Sequence, residues 1–254
     1  MLNGTFVETA WPSCQLRGFG KAKGRCLLAR FGGFVSIGSV ALALTALGAC
    51  EPKPKLPPGV TPSVEVGAPL KSNIWKGVAT AADQDRLARL GLAWQQALAE
   101  AKASNSADVR REGKLLLPRA SLPRPAPTPG SYNCRLIKLG KATAKSKGFE
   151  TFKPFFCYVE VEDDLLTIVK QTGSQRPSGR LWEDDDPNRL VFLGSLALGD
   201  EDQPAAYGDN PKRDMAGVLE RIAPFRWRLV IPWPQSTSKL DVFELTPVAV
   251  QPEG

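Results

Sequence analysis

A strand pattern is clearest in residues 155–161, which read Phe-Phe-Cys-Tyr-Val-Glu-Val. Successive side chains of an extended chain point to opposite faces, so Cys157 and Val159 share one face and Tyr158 lies on the other. This alternation is typical of a β-strand with one buried face. Residues 131–139, Ser-Tyr-Asn-Cys-Arg-Leu-Ile-Lys-Leu, alternate in the same way and predict a second strand.

Short apolar runs separated by Gly, Pro and Asp turns continue along the chain after this pair. They cover residues 165–169, 180–182, 190–198, 227–232 and 240–245. Six to eight antiparallel strands in roughly 120 residues predict a mainly β fold. A small lipocalin-like up-and-down barrel is the first interpretation, and a sandwich is the alternative. Residues 173–179 are interpreted as a turn.

A helix is predicted before the strands. Thr80 and Asp83 have the spacing of a helix N-terminal cap, and apolar residues recur every three or four positions from Leu87 to Ala101. This pattern predicts an amphipathic helix over about 83–103 that plugs one end of the barrel or packs on its wall. The chain then divides into a signal peptide (1–49), a flexible tether (50–72), the helix with a Pro-rich connector (73–129) and an antiparallel β domain (130–250).

An uncharged, apolar stretch covers residues 31–49, and Arg25 and Arg30 precede it. This order is typical of a secretory signal peptide. Its last residues and the cysteine that follows, Leu47-Gly48-Ala49-Cys50, resemble the lipobox of bacterial lipoproteins. The resemblance implies cleavage before Cys50 and acylation there, and two or three acyl chains give stable membrane attachment. A transmembrane anchor with an incidental cysteine is the alternative.

The expected location is the cell envelope, with the folded part facing the periplasm. Glu51 is not the aspartate that resembles an inner-membrane retention signal, so the outer membrane is favoured over the inner. Residues 1–20 are long for the charged part of a signal peptide, which indicates a translation start placed too far upstream.

Two of the five cysteines, Cys134 and Cys157, remain after the predicted signal peptide and the lipid-bearing Cys50 are set aside. An even pair in an oxidising compartment predicts a disulfide. The bond is geometrically easy if the two strands that carry these residues are antiparallel neighbours. Two buried free thiols are the alternative.

The chain contains no histidine, which excludes Ser-His-Asp and Cys-His catalysis and histidine-bearing zinc sites. Its net charge of +7 falls to +3 after residue 49, because 28 basic and 25 acidic residues remain there. A nucleic-acid partner is therefore not expected. Neither an enzymatic activity nor a metal or other cofactor is expected. The acidic runs 184–186 and 200–202 lack calcium-loop spacing and are interpreted as solvated turns.

The candidate ligand-binding residues are Gln175, Arg176, Arg180, Trp182 and Arg226. The first four lie in a glycine-punctuated segment, where guanidinium groups at a barrel mouth would suit an anionic group. The alternative is an ordinary turn in which Arg176 donates hydrogen bonds to backbone carbonyls. Arg226 belongs to a charged group over 213–228, for which intramolecular ion pairs are the alternative.

Several motifs carry a resemblance to one family. They include Pro129-Gly130-Ser131-Tyr132-Asn133-Cys134-Arg135, Thr172-Gly173-Ser174-Gln175-Arg176-Pro177-Ser178-Gly179, Arg226-Trp227-Arg228-Leu229-Val230 and Leu240-Asp241-Val242-Phe243-Glu244-Leu245. In combination the set, over about residues 74–247, is similar to exported alphaproteobacterial proteins catalogued as domain of unknown function 4893. The resemblance implies an envelope protein and supplies no activity.

The functional hypothesis is a non-enzymatic envelope lipoprotein that binds a small amphiphilic ligand in or at its barrel, because small barrels either fill with side chains or hold one ligand. The alternative is a protein-interaction module, such as an envelope protease inhibitor or an accessory factor.

Overall fold

The computed structural model describes residues 70–199 and 201–249. The predicted signal peptide, Cys50 and nearly all of the predicted tether lie outside the described residues. Helices α1 (Ser72–Val78), α2 (Ala81–Ala88) and α3 (Leu90–Arg111) and a 3-10 turn (Gly113–Leu116) come first. Nine strands follow: β1 (Gly130–Leu139), β2 (Phe149–Thr151), β3 (Phe155–Glu162), β4 (Leu165–Lys170), β5 (Gln175–Glu183), β6 (Arg189–Leu198), β7 (Asp214–Ala223), β8 (Arg226–Pro232) and β9 (Leu240–Pro247).

The strands form a closed antiparallel barrel in which neighbours along the chain are neighbours in space. Strand β9 returns to β1, with Leu139 opposite Leu240 and Tyr132 opposite Pro247. Strands β2 and β3 share one position beside β1. Strand β2 pairs with the last three residues of β1, and β3 pairs with the first five residues of β1. The barrel thus has eight strand positions, and the predicted lipocalin-like barrel is confirmed.

The side chains that point inward, at every second position of the strands, fill the barrel interior. The buried cluster there comprises Tyr132, Cys134, Cys157, Val159, Ile168, Leu181, Leu190, Phe192, Met215, Leu219, Trp227, Leu229, Ile231, Phe243 and Leu245. Gly179 and Gly194 lie opposite each other in β5 and β6. A Cβ atom on either would come within 2.8 Å of the Phe192 ring. The two glycines therefore make room for the phenylalanine ring to lie across the sheet.

The helices pack on the outside of the barrel, over strands β6 to β9 and the end of β1. Ala93, Ala97 and Ala101 recur every four residues on α3 and are fully buried. Small side chains let this helix approach the sheet closely. At Gly140 a Cβ atom would lie only 2.9 Å from the Ala97 Cα atom, and its φ of +73° also favours glycine. The helix therefore packs on the barrel wall, which is one of the two positions predicted for it.

The predicted helix over 83–103 is divided at Arg89 and continues to Arg111. Thr80 caps α2 as expected, since its side chain accepts a hydrogen bond from the Asp83 amide. The division lets α2 pack on β7 while α3 packs on β1, β2, β8 and β9. Two predictions about strands were wrong: β5 begins at Gln175, inside the predicted turn, and β7 was missed.

A disulfide joins Cys134 and Cys157, which confirms the predicted pair. Cys134 lies opposite Phe155 and Cys157 opposite Tyr132, so the cysteines are diagonal neighbours on β1 and β3. Both are buried in the barrel interior. Their Cα atoms are 6.0 Å apart, which is ordinary for a disulfide.

Candidate functional site

The interior of the barrel holds a cavity of about 20 Å³, beside the disulfide and near Phe155 and Lys170. A space of this size holds about one water molecule. The Lys170 ammonium lies 4.2 Å from the centre of the Phe155 ring, and burial lowers the pKa of that lysine. Side chains rather than a ligand-sized cavity therefore occupy the centre of the barrel.

Two of the predicted ligand-binding arginines are engaged within the protein. Arg176 donates hydrogen bonds to the backbone carbonyls of Gly173, Gly199 and Glu201, so it ties two loops to the start of β5. Arg180 lies on the outer wall of the barrel and pairs with Glu162 at 2.9 Å. The arrangement at Arg176 is the backbone-binding alternative of the sequence analysis.

The other three predicted residues lie apart from these. Gln175 is exposed at the start of β5, and Trp182 packs at the edge of the cluster beneath the helices. Arg226 pairs with Glu244 at 2.6 Å, within a network that includes Arg135. The five residues are thus spread along the barrel and do not surround a common opening.

Two clefts lie along the flanks of α2, where this helix rests on the barrel wall. The larger has a volume of about 550 Å³ and is here called the outer cleft. Its floor is apolar and comes from four separate elements, with Trp75 of α1, Leu87 of α2, Val191 of β6 and Val218 of β7. This volume falls within the range of small-molecule sites, about 300–1,000 Å³.

The rim of the outer cleft is charged. It carries Lys76, Asp85, Asp184, Asp185, Asp186 and Arg189. Asp184 accepts hydrogen bonds from the Trp75 indole at 3.1 Å and from Arg189 at 2.6 Å. Asp185 accepts one from the Ser72 amide at 3.2 Å, and hydrogen bonds from Ser72 lower the pKa of this carboxyl. The acidic turn is therefore not simply solvated as predicted, because it fixes α1 to the barrel.

The second cleft, about 260 Å³, lies on the opposite flank of α2 beside Asp83, Arg86, Asp214 and Trp233. Asp83 is buried and accepts a hydrogen bond from the Tyr207 hydroxyl at 2.6 Å. Burial, with this hydrogen bond, raises the pKa of Tyr207 to about 12. Asp83 is thus bonded to both Arg86 and Tyr207, and these contacts fasten α2 to the barrel. Asp214 is bonded to the Gly208 amide, while its Oδ2 atom is buried without a hydrogen-bond partner among the described residues.

Arg228 fixes the C-terminal end of residues 72–116, here called the helical segment, to the barrel. It points outward from β8, yet it is fully buried beneath that segment. Its guanidinium pairs with Glu220 at 2.7 Å and donates to the carbonyls of Leu115 and Leu117 at 2.9 and 2.8 Å. The segment that bounds the outer cleft is thus held at both ends by polar contacts to the barrel.

Comparison with protein families matches residues 75–245 to the family described as domain of unknown function (DUF4893). The chain belongs to this family. Comparisons with curated proteins and with solved structures gave no match.

The matched region of this DUF4893 chain begins at Trp75 on the cleft floor and ends in β9. The four floor residues were not identified from the sequence, since they come from elements that only tertiary packing brings together. Within residues 70–199 and 201–249, no group of three or more His, Cys, Asp or Glu side chains is arranged to hold a metal ion. No helix among those residues combines the length and apolar character that crossing a bilayer requires.

Proposed function

We propose that this protein is a non-enzymatic lipoprotein of the cell envelope, anchored through Cys50, that binds a small amphiphilic ligand in the outer cleft. The observation that carries this proposal is the contrast between the two spaces. About 550 Å³ lies open between the helices and the barrel wall, against about 20 Å³ inside the barrel. Binding at the wall leaves the packed interior undisturbed.

The lining of the cleft favours a ligand with an apolar body and a positively charged head group. Trp75, Leu87 and Val218 offer apolar contact at the floor. Four aspartates stand against one lysine and one arginine on the rim, and Arg89 pairs with Asp85 from just outside it, so the rim keeps a small net negative charge. An ammonium head group would complement that charge, while an anionic head group would be repelled.

The test uses three amphiphiles with the same dodecyl chain: dodecyltrimethylammonium, dodecyl maltoside and dodecyl sulfate. Titration calorimetry of the purified full chain, below the micelle concentrations, is expected to give a cleft-dependent affinity, lost when the cleft is filled, that is highest for the cationic probe and lowest for the anionic one. Filling the cleft with Ala88→Trp should weaken binding of the cationic probe at least about tenfold, because Ala88 lines the cleft and is exposed.

A matched control lies on the same helix. Ala82 is also exposed but lines the cleft on the other flank of α2, so Ala82→Trp introduces the same side chain without filling the outer cleft. This variant should bind the cationic probe like the unmodified chain. Equal affinities for the two tryptophan variants, or the absence of binding to all three amphiphiles, would contradict the proposal.

A protein-interaction module is the second candidate, and an exposed apolar stripe along α1 and the residues just before it favours it. Leu70, Ile74 and Val78 recur every four residues and are 59%, 62% and 46% exposed. A photo-crosslinking amino acid at Ile74 should then give one discrete adduct in cells, while the same group at exposed Asn73 should not. No adduct at Ile74 would remove this candidate.

A further inference from the structure

The excess positive charge of the folded part is concentrated in one segment. Residues 70–249 contain 26 Lys and Arg against 22 Asp and Glu. Residues 141–156, here called the lysine loop, contain four lysines and one glutamate. Outside this loop the same region has 22 basic and 21 acidic residues, so three of its four excess charges lie within sixteen residues.

The charges of the lysine loop are available to a partner. Lys141, Lys145, Lys147 and Lys153 are all exposed. Lys147 pairs with Glu150 at 2.8 Å, whereas the other three lysines make no ion pair with any residue that the structure describes. Three of the four lysine side chains are therefore unlike the salt-bridged Arg180 and Arg226. The backbone of the loop is held to α3, because the Lys141 amide donates a hydrogen bond to Glu100 at 2.7 Å.

Aromatic side chains accompany these lysines. Phe152 and Phe156 belong to the same loop and are 40% and 54% exposed. Exposed aromatic groups beside lysines suit the boundary between water and lipid, where the ring enters the acyl region and the ammonium stays at the head groups. Neither ring belongs to the buried cluster inside the barrel, because Phe156 points outward from β3 and Phe152 follows the end of β2.

The opposite end of the barrel is acidic. Strands β3 and β5 run in the same direction, since each is antiparallel to β4. Strand β3 begins at the lysine loop, and both strands end in acidic turns, over 162–164 and 183–186. The lysine-loop end also carries the β6–β7 loop, whose acidic residues outweigh Lys212 and Arg213, and the acidic turns are partly paired with Arg180 and Arg189. The lysine loop itself is therefore the feature that makes its end of the barrel basic.

We propose that the lysine loop docks the barrel, basic end first, on an anionic phospholipid surface. Charge complementarity is the reason for this choice of partner, and the acidic end disfavours the reverse orientation. The inference rests on the proposed attachment through Cys50. Residues 50–69 can reach about 70 Å when extended, whereas a ten-residue strand is about 33 Å long. The tether is therefore long enough to allow this orientation, although Lys71 of α1 pairs with Glu183 at the acidic end.

The test compares the rates at which individual lysines are acetylated in the acylated mature chain, which begins at Cys50, reconstituted into vesicles. One set of vesicles is phosphatidylcholine alone, and the other contains about one-third phosphatidylglycerol. Lys145, Lys147 and Lys153 should react at least about threefold more slowly on the anionic vesicles, and salt at about 1 M should remove the difference. Lys71 and Lys76 near the acidic end serve as internal controls and should react equally on both.

Flotation of the same samples distinguishes docking through the lysine loop from lipid attachment through Cys50. A chain that floats with both kinds of vesicle but shows equal acetylation rates at the lysine loop would overturn the docking inference and leave the lipid attachment standing. A chain that does not float with phosphatidylcholine vesicles would contradict the attachment. Slower labelling of Lys71 than of the lysine loop on anionic vesicles would reverse the orientation and also overturn the inference.

Discussion

Arg228 of β8 lies against Trp94 of α3, with its guanidinium 4.9 Å from the centre of the indole ring. This contact joins the helical segment to the outer wall of the barrel at a point from which water is excluded. The cation is neutralised by Glu220 on the adjacent strand and by carbonyls at the end of the helices. The ion pair thus fastens α3 and the 3-10 turn to the barrel wall, away from the outer cleft.

Replacing Arg228 with methionine is expected to destabilise the fold by about 3–5 kcal/mol. Removing one partner of a buried pair leaves Glu220 without its counter-charge and several carbonyls without donors. Urea unfolding followed by tryptophan fluorescence measures the change. The double replacement Arg228→Met and Glu220→Leu should recover much of the loss, and a single variant as stable as the unmodified chain would show that the ion pair does not hold the helices.

Adding one methyl group at Gly194 is expected to destabilise the barrel strongly, by roughly 3 kcal/mol. The new Cβ atom would lie 2.2 Å from the Ser178 carbonyl oxygen and 2.8 Å from the Phe192 ring. Gly77→Ala is the matched control, because nothing lies within 4 Å of its Cβ position in α1. That control should leave stability unchanged or raise it slightly. Equal melting temperatures for the two variants would contradict the described packing.

Removing the disulfide with Cys134→Ala and Cys157→Ala is expected to cost about 2–4 kcal/mol, since the bond constrains a loop of about 23 residues in the unfolded chain. Thermal unfolding of the variant under oxidising conditions should then match that of the reduced unmodified protein. Unchanged melting on reduction, with both thiols titrated as free, would show that the bond does not form.

Stability is expected to fall as the pH rises from about 10 to about 12, through ionisation of Tyr207. Its pKa is raised to about 12 in the folded protein, so above pH 10 the unfolded chain releases this proton first. The stabilising hydrogen bond to Asp83 is fully present below that range. Urea unfolding across the range should show a smaller decline for Tyr207→Phe. Parallel declines for both proteins would exclude this tyrosine as the cause.

The barrel was readable from the sequence where only one face of a strand is buried. Cys157 and Val159 point into the barrel while Phe156 and Glu160 face water, so alternation in β3 is clear. In β7 the outward residues Asp214 and Glu220 are also buried, beneath the helical segment and the loop before the strand. Strand β7 was missed for this reason, because a sequence pattern assigns charged residues such as these to the surface.

The outer cleft could not be read from the sequence for a different reason. Its floor residues are ordinary apolar side chains whose individual positions predict only a buried face. They meet because α1 is tied to Asp184 and Asp185 and because α2 is tied to Tyr207. By contrast, the sequence predicted ligand binding by Arg176 and Arg180. In the structure Arg176 binds backbone carbonyls and Arg180 binds a carboxylate of the protein itself.

A methyl NMR titration of the protein with dodecyltrimethylammonium distinguishes binding in the outer cleft from binding inside the barrel. Leu87, Val191 and Val218 report on the outer cleft, and Val159, Ile168 and Leu229 report on the barrel interior. Ligand binding in the cleft predicts shifts confined to the first group, with the interior methyls unchanged. Shifts centred on the interior methyls would exclude the outer cleft as the binding site, since they would require the packed barrel to open for the ligand.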